Sequence, residues 1–167
     1  MMLWVRGGKN VTKRQASFVI SGDEVKVVVA TVPADPNAPI SIEYDETWKL
    51  QSGAREPALH VLHQRCASFL LEQQIKSVVL KASAAPRSAA TLSLLHSAEV
   101  RGVVIAAAAS TTEVRSLAKG VISRTYGDRT VDEYLKDNDF WSSKTAGAAL
   151  RAGSREAAML IIAAREG

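Results

Sequence analysis

The sequence has few of the residues on which several classes of function depend. Only one of its 167 residues is a cysteine, Cys66, so the chain has neither an internal disulfide nor a zinc site of four thiolates. Aromatic residues make up 5% of the chain, which leaves little material for stacking the bases of single-stranded nucleic acid. A single cysteine is typical of a reducing compartment, and we therefore expect a cytoplasmic protein.

Long apolar runs are also lacking. The apolar residues 1–5 are followed at once by Arg6 and Lys9, so this run is shorter than the ~7–15 apolar residues of a secretory signal. The longest apolar stretch, 103–109, is about a third of the ~20 residues that cross a bilayer. We expect neither a secretory leader nor a contact with a membrane.

Charge is present but unevenly distributed. The formal net charge is +4, from 21 basic and 17 acidic residues. Residues 1–14 contain basic side chains and no acid, residues 15–50 are acidic on balance, and the remainder is mildly basic. This pattern predicts a basic N-terminal arm over residues 1–14 and a single domain over residues 15–167. The arm either frays as a solubilising terminus or contacts nucleic acid or another partner.

The first third of the chain has the periodicity of β-strands. Two β-branched runs, 16–20 and 25–30, flank the turn residues 21–24 and predict a hairpin. Alternation over 40–45 predicts a third antiparallel strand. Leu59, Leu62 and Cys66 then recur at helical spacing, which predicts a helix over 56–74 with Cys66 in the core.

Short apolar runs and helical patterns alternate in the rest of the chain. We predict strands at 77–81 and 102–107, and helices at 88–97, from the cap residues 110–113 to Gly120, at 132–136 and at 153–163. Strands alternating with helices after a meander indicate an α/β fold, in which helices cover both faces of a mixed sheet.

Three segments carry a family resemblance: 17–25 in the first hairpin, 75–81 in the fourth strand, and 104–119, assigned to the fifth strand and the helix after it. With the order of elements, they resemble the ribonuclease H-like fold, in particular the crossover-junction resolvases and a family of small bacterial proteins related to them. The resemblance spans residues 17–164 and implies a five-stranded mixed sheet.

The resemblance also implies a chemistry, which is phosphodiester cleavage by two divalent ions held by clustered carboxylates. Such proteins place acids in the first strand, at the end of the fourth strand and on the last helix. Here the corresponding residues are Ser17 or Val19, then Lys81, and only Glu156 is an acid. One carboxylate does not neutralise two divalent ions, and the lysine repels them. We therefore expect a non-catalytic module without a cofactor, which contacts nucleic acid or an assembly that handles it.

Basic residues are the predicted nucleic-acid contacts. They follow the fourth strand or lie in the helical part of the chain, and arginine binds phosphate in a bidentate manner. The predicted contacts are Lys81, Arg87, Lys119, Arg124 and Arg155, with Arg129 and Arg151 on the same side if the topology of the family holds. A solvated basic rim is the alternative interpretation.

Two other functions remain open. The first is a nuclease that uses Mg²⁺ or Mn²⁺ with an atypical set of acids, drawn from Asp23, Glu43, Asp45 and Glu156. The second is a protein-binding accessory subunit or a homodimer, in which alanine-rich helices at 89–98 and 146–164 pack closely. Large aromatic residues either mark such an interface or form a small core beneath residues 121–153; they are Trp48, Phe140 and Trp141.

Histidine and glycine motifs carry no further site. His60 and His63 lie three residues apart without an acid that completes a zinc motif, and His96 is remote in sequence. Residues 7–9 have neither the preceding strand nor the spacing of a phosphate-binding loop.

Overall fold

The computed structural model describes residues 12–127 and 129–166, apart from the side chains of Arg124, Thr125 and Glu166. Most of the predicted basic arm, residues 1–11, therefore lies outside the described residues. The first strand begins at Lys13, so the last two residues assigned to the arm belong to the sheet.

A six-stranded mixed sheet forms the centre of the fold, with the strand order β5-β4-β1-β2-β3-β6. β1, β2 and β3 form the antiparallel meander, β4 and β5 extend it in parallel beside β1, and β6 runs parallel to β3. The strand bounds are β1 Lys13–Ser21, β2 Glu24–Val32, β3 Ile40–Lys49, β4 Ser77–Lys81, β5 Glu113–Leu117 and β6 Thr145–Gly147. The predicted hairpin is confirmed, and Gly22 supplies the positive φ of 57° at its turn.

Helices cover both faces of this sheet, as predicted. Their bounds are α1 Arg55–Glu72, α2 Leu92–Ala109, α3 Lys119–Tyr126, α4 Val131–Lys136, α5 Asn138–Lys144 and α6 Arg155–Glu166. Phe18, Val27 and Val78 pack with α1 and α2 on one face, whereas Val28 and Val79 pack with α6 on the other. This division follows from the alternation of side chains along each strand.

The strand predicted at 102–107 is wrong, because these residues lie inside α2. Alanine is the best helix former, and a short buried apolar run does not by itself distinguish a strand from a helix. Val100, Val104 and Ala107 are buried at helical spacing against the sheet. The helix predicted at 88–97 therefore begins later, at Leu92, and continues through the supposed strand.

The helix predicted from 110–113 to Gly120 is also wrong. Residues 110–112 end α2 instead of starting a helix, and the hydroxyls of Ser110 and Thr112 donate to the carbonyls of Ala107 and Ala108. The fifth strand follows at Glu113–Leu117. It is an edge strand with mostly exposed side chains, and for this reason it lacks the apolar run of a buried strand.

The sixth strand, β6, is an addition to the predicted five. It has only three residues, too few for an alternating pattern to be visible in the sequence. The strand predicted at 77–81 and the helical turns at 132–136 are confirmed, and the helices predicted at 56–74 and 153–163 are confirmed with shifted ends.

Within the part of the chain that the structure describes, one helix, α2, is long and apolar enough to cross a membrane by length and composition, with a mean hydropathy of 1.4. The core helix of a globular domain passes the same test, and α2 packs its buried residues against the sheet and α1. This helix is accordingly weak evidence for a membrane.

Candidate functional site

The carboxyl ends of β1 and β4 meet at one edge of the sheet. Phe18 on β1 lies opposite Leu80 on β4, so the next residues, Val19 and Lys81, come side by side. On the other side of β1, Val19 pairs with Lys26 of β2. The register therefore aligns two lysines on either side of one valine, across three adjacent strands.

The three side chains of this row belong to the sheet face that α6 covers. Val28 and Val79, each two residues from one of the lysines, pack on α6. Glu156, in the first turn of α6, contacts Lys81, with 3.0 Å between Oε1 and Nζ. Val19, Lys26, Lys81 and Glu156 border a cleft of about 280 Å³, together with Arg101 from α2. We call it the basic cleft and define it by Lys26, Lys81, Arg101 and Glu156.

The ion pair between Lys81 and Glu156 is open to solvent. The two side chains are 42% and 34% exposed, so water screens their attraction and the pair adds less than about 1 kcal/mol to stability. The pair matters more for chemistry than for stability, because Lys81 already neutralises Glu156, the only carboxylate among the residues that line the cleft.

Arg101 reaches the cleft from the opposite face of the sheet. Its guanidinium donates a hydrogen bond to the main-chain carbonyl of Lys81, which ties α2 to the end of β4. Burial lowers the pKa of Arg101, but arginine remains charged at neutral pH. The cleft thus has three cations and one carboxylate.

The other positions implied for acids hold no metal ligand. Ser17 is fully buried, and its hydroxyl donates to the carbonyl of Ala157 at 2.6 Å, which fixes α6 against β1. Val19 presents only hydrocarbon to the cleft. Among the described residues, no group of three or more His, Cys, Asp or Glu side chains is placed to hold a metal ion.

Comparisons with known proteins give matches of structure only. No family model and no curated protein sequence matches the chain. The structure of RuvC from Thermus thermophilus superposes with a TM-score of 0.69 at 13% identity, and covers 90% of this chain and 92% of that one. The chain has a RuvC-like, ribonuclease H-like fold.

Two further solved structures agree with this RuvC-like fold. T. thermophilus RuvC in complex with Holliday junction substrate has a TM-score of 0.66 at 13% identity, covering 93% of this chain and 96% of that one. The yeast mitochondrial Holliday junction resolvase Ydc2 has a TM-score of 0.63 at 10% identity, covering 95% and 82%. At these identities the likeness shows the fold alone, so the function rests on the residues of this chain.

The acids of the alternative nuclease set lie in separate ion pairs on the RuvC-like domain. Asp23 contacts Arg55 at 2.8 Å, Glu43 contacts Arg14 at 2.7 Å, and Asp45 contacts Arg151 at 2.8 Å. Burial raises the pKa of Glu43, but hydrogen bonds from Thr31 and Arg14 outweigh it and the pKa lies below its ordinary value. Burial likewise raises the pKa of Asp45, but hydrogen bonds from Arg151 and Ser154 lower it by more, so the pKa of Asp45 also lies below its ordinary value. Asp23 and Glu43 are thus engaged in contacts at the surface, whereas the side chain of Asp45 is only 5% exposed and is engaged in a buried contact of β3.

Of the predicted nucleic-acid contacts, Lys81 and Lys119 come together. Lys119 begins α3 and lines a smaller pocket of about 80 Å³ with Lys81 and Glu156. Arg87 is exposed in the loop 82–91, which leads from β4 to α2. The side chain of Arg124 lies outside the described residues, so its predicted role stays a prediction.

Arg155, Arg129 and Arg151 are engaged in contacts within the chain. Arg155 donates to the carbonyl of Leu135 at 2.9 Å and to Oδ1 of Asn138 at 2.7 Å, so it connects α6 to α4 and α5. Arg129 pairs with Asp137 at 2.8 Å, and Arg151 pairs with Asp45. A contact between Arg155 and nucleic acid therefore stays a prediction. It would require the guanidinium of Arg155 to bind a phosphate while it also donates to Leu135 and Asn138, or to give up those hydrogen bonds.

Two residues of the basic cleft were not predicted, Lys26 and Arg101. The hairpin offered a signal for Lys26, since a two-residue turn at 22–23 pairs Val19 with Lys26. Arg101 had no such signal, because the erroneous strand at 102–107 placed it in a loop.

The aromatic residues form cores. Trp48 is 1% exposed and contacts Phe18 and Phe69, with ring centroids 5.9 and 5.1 Å apart. Trp141 is 3% exposed and its indole N–H donates to the carbonyl of Tyr134 at 2.9 Å, beside Phe140. The small core beneath 121–153 is thereby confirmed for Phe140 and Trp141, while both tryptophans are too buried to mark a free interface.

Cys66 is a core residue, as predicted. It is fully buried in the cluster between α1, α2 and the sheet, and burial raises the pKa of its thiol to about 12. A neutral thiol in this position is not an activated nucleophile. His60, His63 and His96 lie on α1 and α2 and are not among the residues that line the cleft.

Proposed function

We propose that this RuvC-like domain is a non-catalytic module of the cytoplasm that binds nucleic acid, or an assembly that handles it, through the basic cleft. The observation that carries the proposal is the contact of 3.0 Å between Lys81 and Glu156. It puts an ammonium group beside the one carboxylate that a metal would need, and no cofactor is required.

The charge of the cleft supports phosphate as the group bound. Lys26 and Lys81 flank Val19, and Arg101 stands beside them. Lysine and arginine supply most contacts to nucleic-acid backbones, and such contacts release counterions, so the affinity falls as salt rises. One structure with the same fold was solved with a Holliday junction substrate, which makes branched DNA the first ligand to test.

A nuclease dependent on Mg²⁺ or Mn²⁺ is the rival function, because the fold is compatible with it. This rival requires Glu156 to leave Lys81 and to gather further carboxylates that are engaged elsewhere. The two functions differ in one observable, cleavage of the bound strand in the presence of metal.

The experiment incubates the purified chain with labelled branched, duplex and single-stranded DNA and with RNA, with and without Mg²⁺ or Mn²⁺. We expect retention without cleavage, weakened by salt and by Lys81→Gln or Lys26→Gln. Lys76→Gln is the matched control, since Lys76 is exposed just before the start of β4, whereas the basic cleft lies at the other end of that strand. Metal-dependent cleavage that Glu156→Gln abolishes, or no retention at low salt, would overturn the proposal.

A protein partner is the second candidate, and a specific surface favours it. Leu92, Leu94 and Leu95, at the start of α2, are 67%, 41% and 53% exposed. Grouped apolar side chains of this size are typical of contact surfaces between proteins. A second copy of the chain would bury them by pairing α2 with α2. Sedimentation of the wild type and of Leu92→Gln with Leu95→Gln tests it: a dimer that the substitutions dissociate supports this candidate, and a wild-type monomer refutes it.

A further inference from the structure

We propose that the basic cleft binds the terminal phosphate monoester of a nucleic-acid strand in preference to an internal phosphodiester. This inference rests on the proposed function and takes it further, from nucleic acid in general to the phosphorylated end of a strand. The ligand chemistry is a dianionic phosphate with three unesterified oxygens.

The balance of charge is the first argument. Lys26, Lys81 and Arg101 face a single carboxylate, Glu156, which leaves two positive charges in excess. A phosphate monoester carries about −1.5 to −2 at neutral pH. An internal phosphodiester carries one negative charge and would leave the cleft with an unbalanced cation.

The position of the donors is the second argument. Lys81 and Lys26 stand two strands apart in the same register, so their Cα atoms are separated by about two strand spacings of ~4.8 Å. The side chain of Val19 lies between them and provides no competing polar group. An ammonium has three donors, and Lys81 directs one to Glu156, so further donors remain for a phosphate. A monoester offers more acceptor oxygens to this pair of lysines than a diester does.

The walls of the cleft are the third argument. Segments of five elements or their ends border it: the end of β1, Lys26 of β2, residues 80–82 at the end of β4, Arg101 of α2 and Glu156 of α6. Lys81 and Glu156 also line the smaller pocket under α3 and α4, so their ion pair separates the two spaces. A strand that enters the basic cleft does not pass from there into the smaller pocket while this contact of 3.0 Å is intact. The geometry suits a chain end.

The test measures the affinity of the full chain for short oligonucleotides of one sequence by fluorescence anisotropy at low salt. The oligonucleotides carry a 5′-phosphate, a 3′-phosphate or hydroxyl groups at both ends, and the label is internal. We expect one phosphorylated end to bind about tenfold more tightly than the hydroxyl form, since hydrogen bonds to charged groups are the strong ones. Lys26→Gln and Lys81→Gln should reduce that ratio towards one, and Lys76→Gln should leave it unchanged.

A competition arm distinguishes the strand end from a free phosphate compound. Adenosine 5′-monophosphate and inorganic phosphate should displace the phosphorylated strand only weakly, because they lack the backbone contacts around the cleft. Equal affinity for all three strands, with loss of binding in Lys81→Gln, overturns the preference for a terminal monoester and leaves the proposed function standing. Absence of binding to every strand overturns both.

Discussion

Replacement of Glu156 by glutamine gives opposite results for a binding module and for a nuclease. The substitution keeps the shape of the side chain and removes the only negative charge of the basic cleft. In a binding module this charge repels the phosphate, so its removal strengthens binding. In a metal-dependent nuclease the same carboxylate is a ligand, so its removal abolishes cleavage.

The size of the effect follows from the geometry. Glu156 lies 3.0 Å from Lys81, so a phosphate bound to that lysine sits at about 5 Å from the carboxylate. Coulomb's law in a water-like dielectric gives about 0.8 kcal/mol at this distance, a change in affinity of about fourfold. The fold is expected to survive, because the ion pair is partly exposed and contributes less than about 1 kcal/mol.

The assay is the anisotropy titration of labelled branched DNA with the wild type and with Glu156→Gln in the absence of metal. Glu113→Gln is the matched control, because it removes one exposed acid at the start of β5, at the other edge of the sheet. We expect the dissociation constant to fall about fourfold for Glu156→Gln, by the Coulomb term above, and to stay near that of the wild type for the control. Weaker binding by Glu156→Gln would show that the carboxylate does not repel the bound DNA.

Three further predictions concern the fold. Ser17→Ala removes the buried hydrogen bond to Ala157, and should lower the free energy of unfolding in urea by about 1 kcal/mol, while the exposed Ser93→Ala should have little effect; an unchanged midpoint for Ser17→Ala would contradict it. Because the pKa of Asp45 is lowered in the folded state, its ion pair with Arg151 stabilises the fold above the ordinary pKa of aspartate, and this contribution is lost as pH falls through the folded-state pKa. Asp45→Asn should therefore make the free energy of unfolding depend less on pH in the acidic range. An unchanged pH dependence would show that the ion pair adds nothing to stability. The Cys66 thiol, with its pKa of about 12, should react with Ellman's reagent only after denaturation, and rapid reaction of the native protein would mean that the core opens readily.

The meander and β4 were predictable because each pattern had one explanation. The hairpin has β-branched runs on both sides of a glycine turn, and β4 is a short buried run between a helix and a loop. The region from 88 to 120 was not predictable in the same way, because alanine and valine in succession suit a buried strand and a buried helix equally. Tertiary packing of Val104 and Ala107 against the sheet decides between them.

Some residues of the basic cleft were predictable from the sequence and others were not. Lys81 and Glu156 were predicted to lie close together, since the resemblance assigns both positions to the carboxylate cluster of the family, and they form an ion pair. Lys26 becomes visible only through the exact register of the hairpin, and Arg101 only once α2 is correctly placed. Some basic side chains, such as that of Arg155, are hydrogen-bonded within the fold, whereas others face solvent. The sequence does not distinguish the two groups, because the hydrogen-bond partners lie on elements remote in sequence.

In the proposed function, the ammonium group of Lys81 stands in the cleft at the place where a metal-dependent nuclease would hold an ion. The most direct measurement is the affinity for branched DNA in EDTA and in Mg²⁺ at equal ionic strength, with the integrity of the DNA examined afterwards. We expect the same affinity in both solutions and intact DNA. Binding that requires Mg²⁺, or cleavage that appears with it, would show that the cleft holds a metal ion and that the module is not the non-catalytic one proposed.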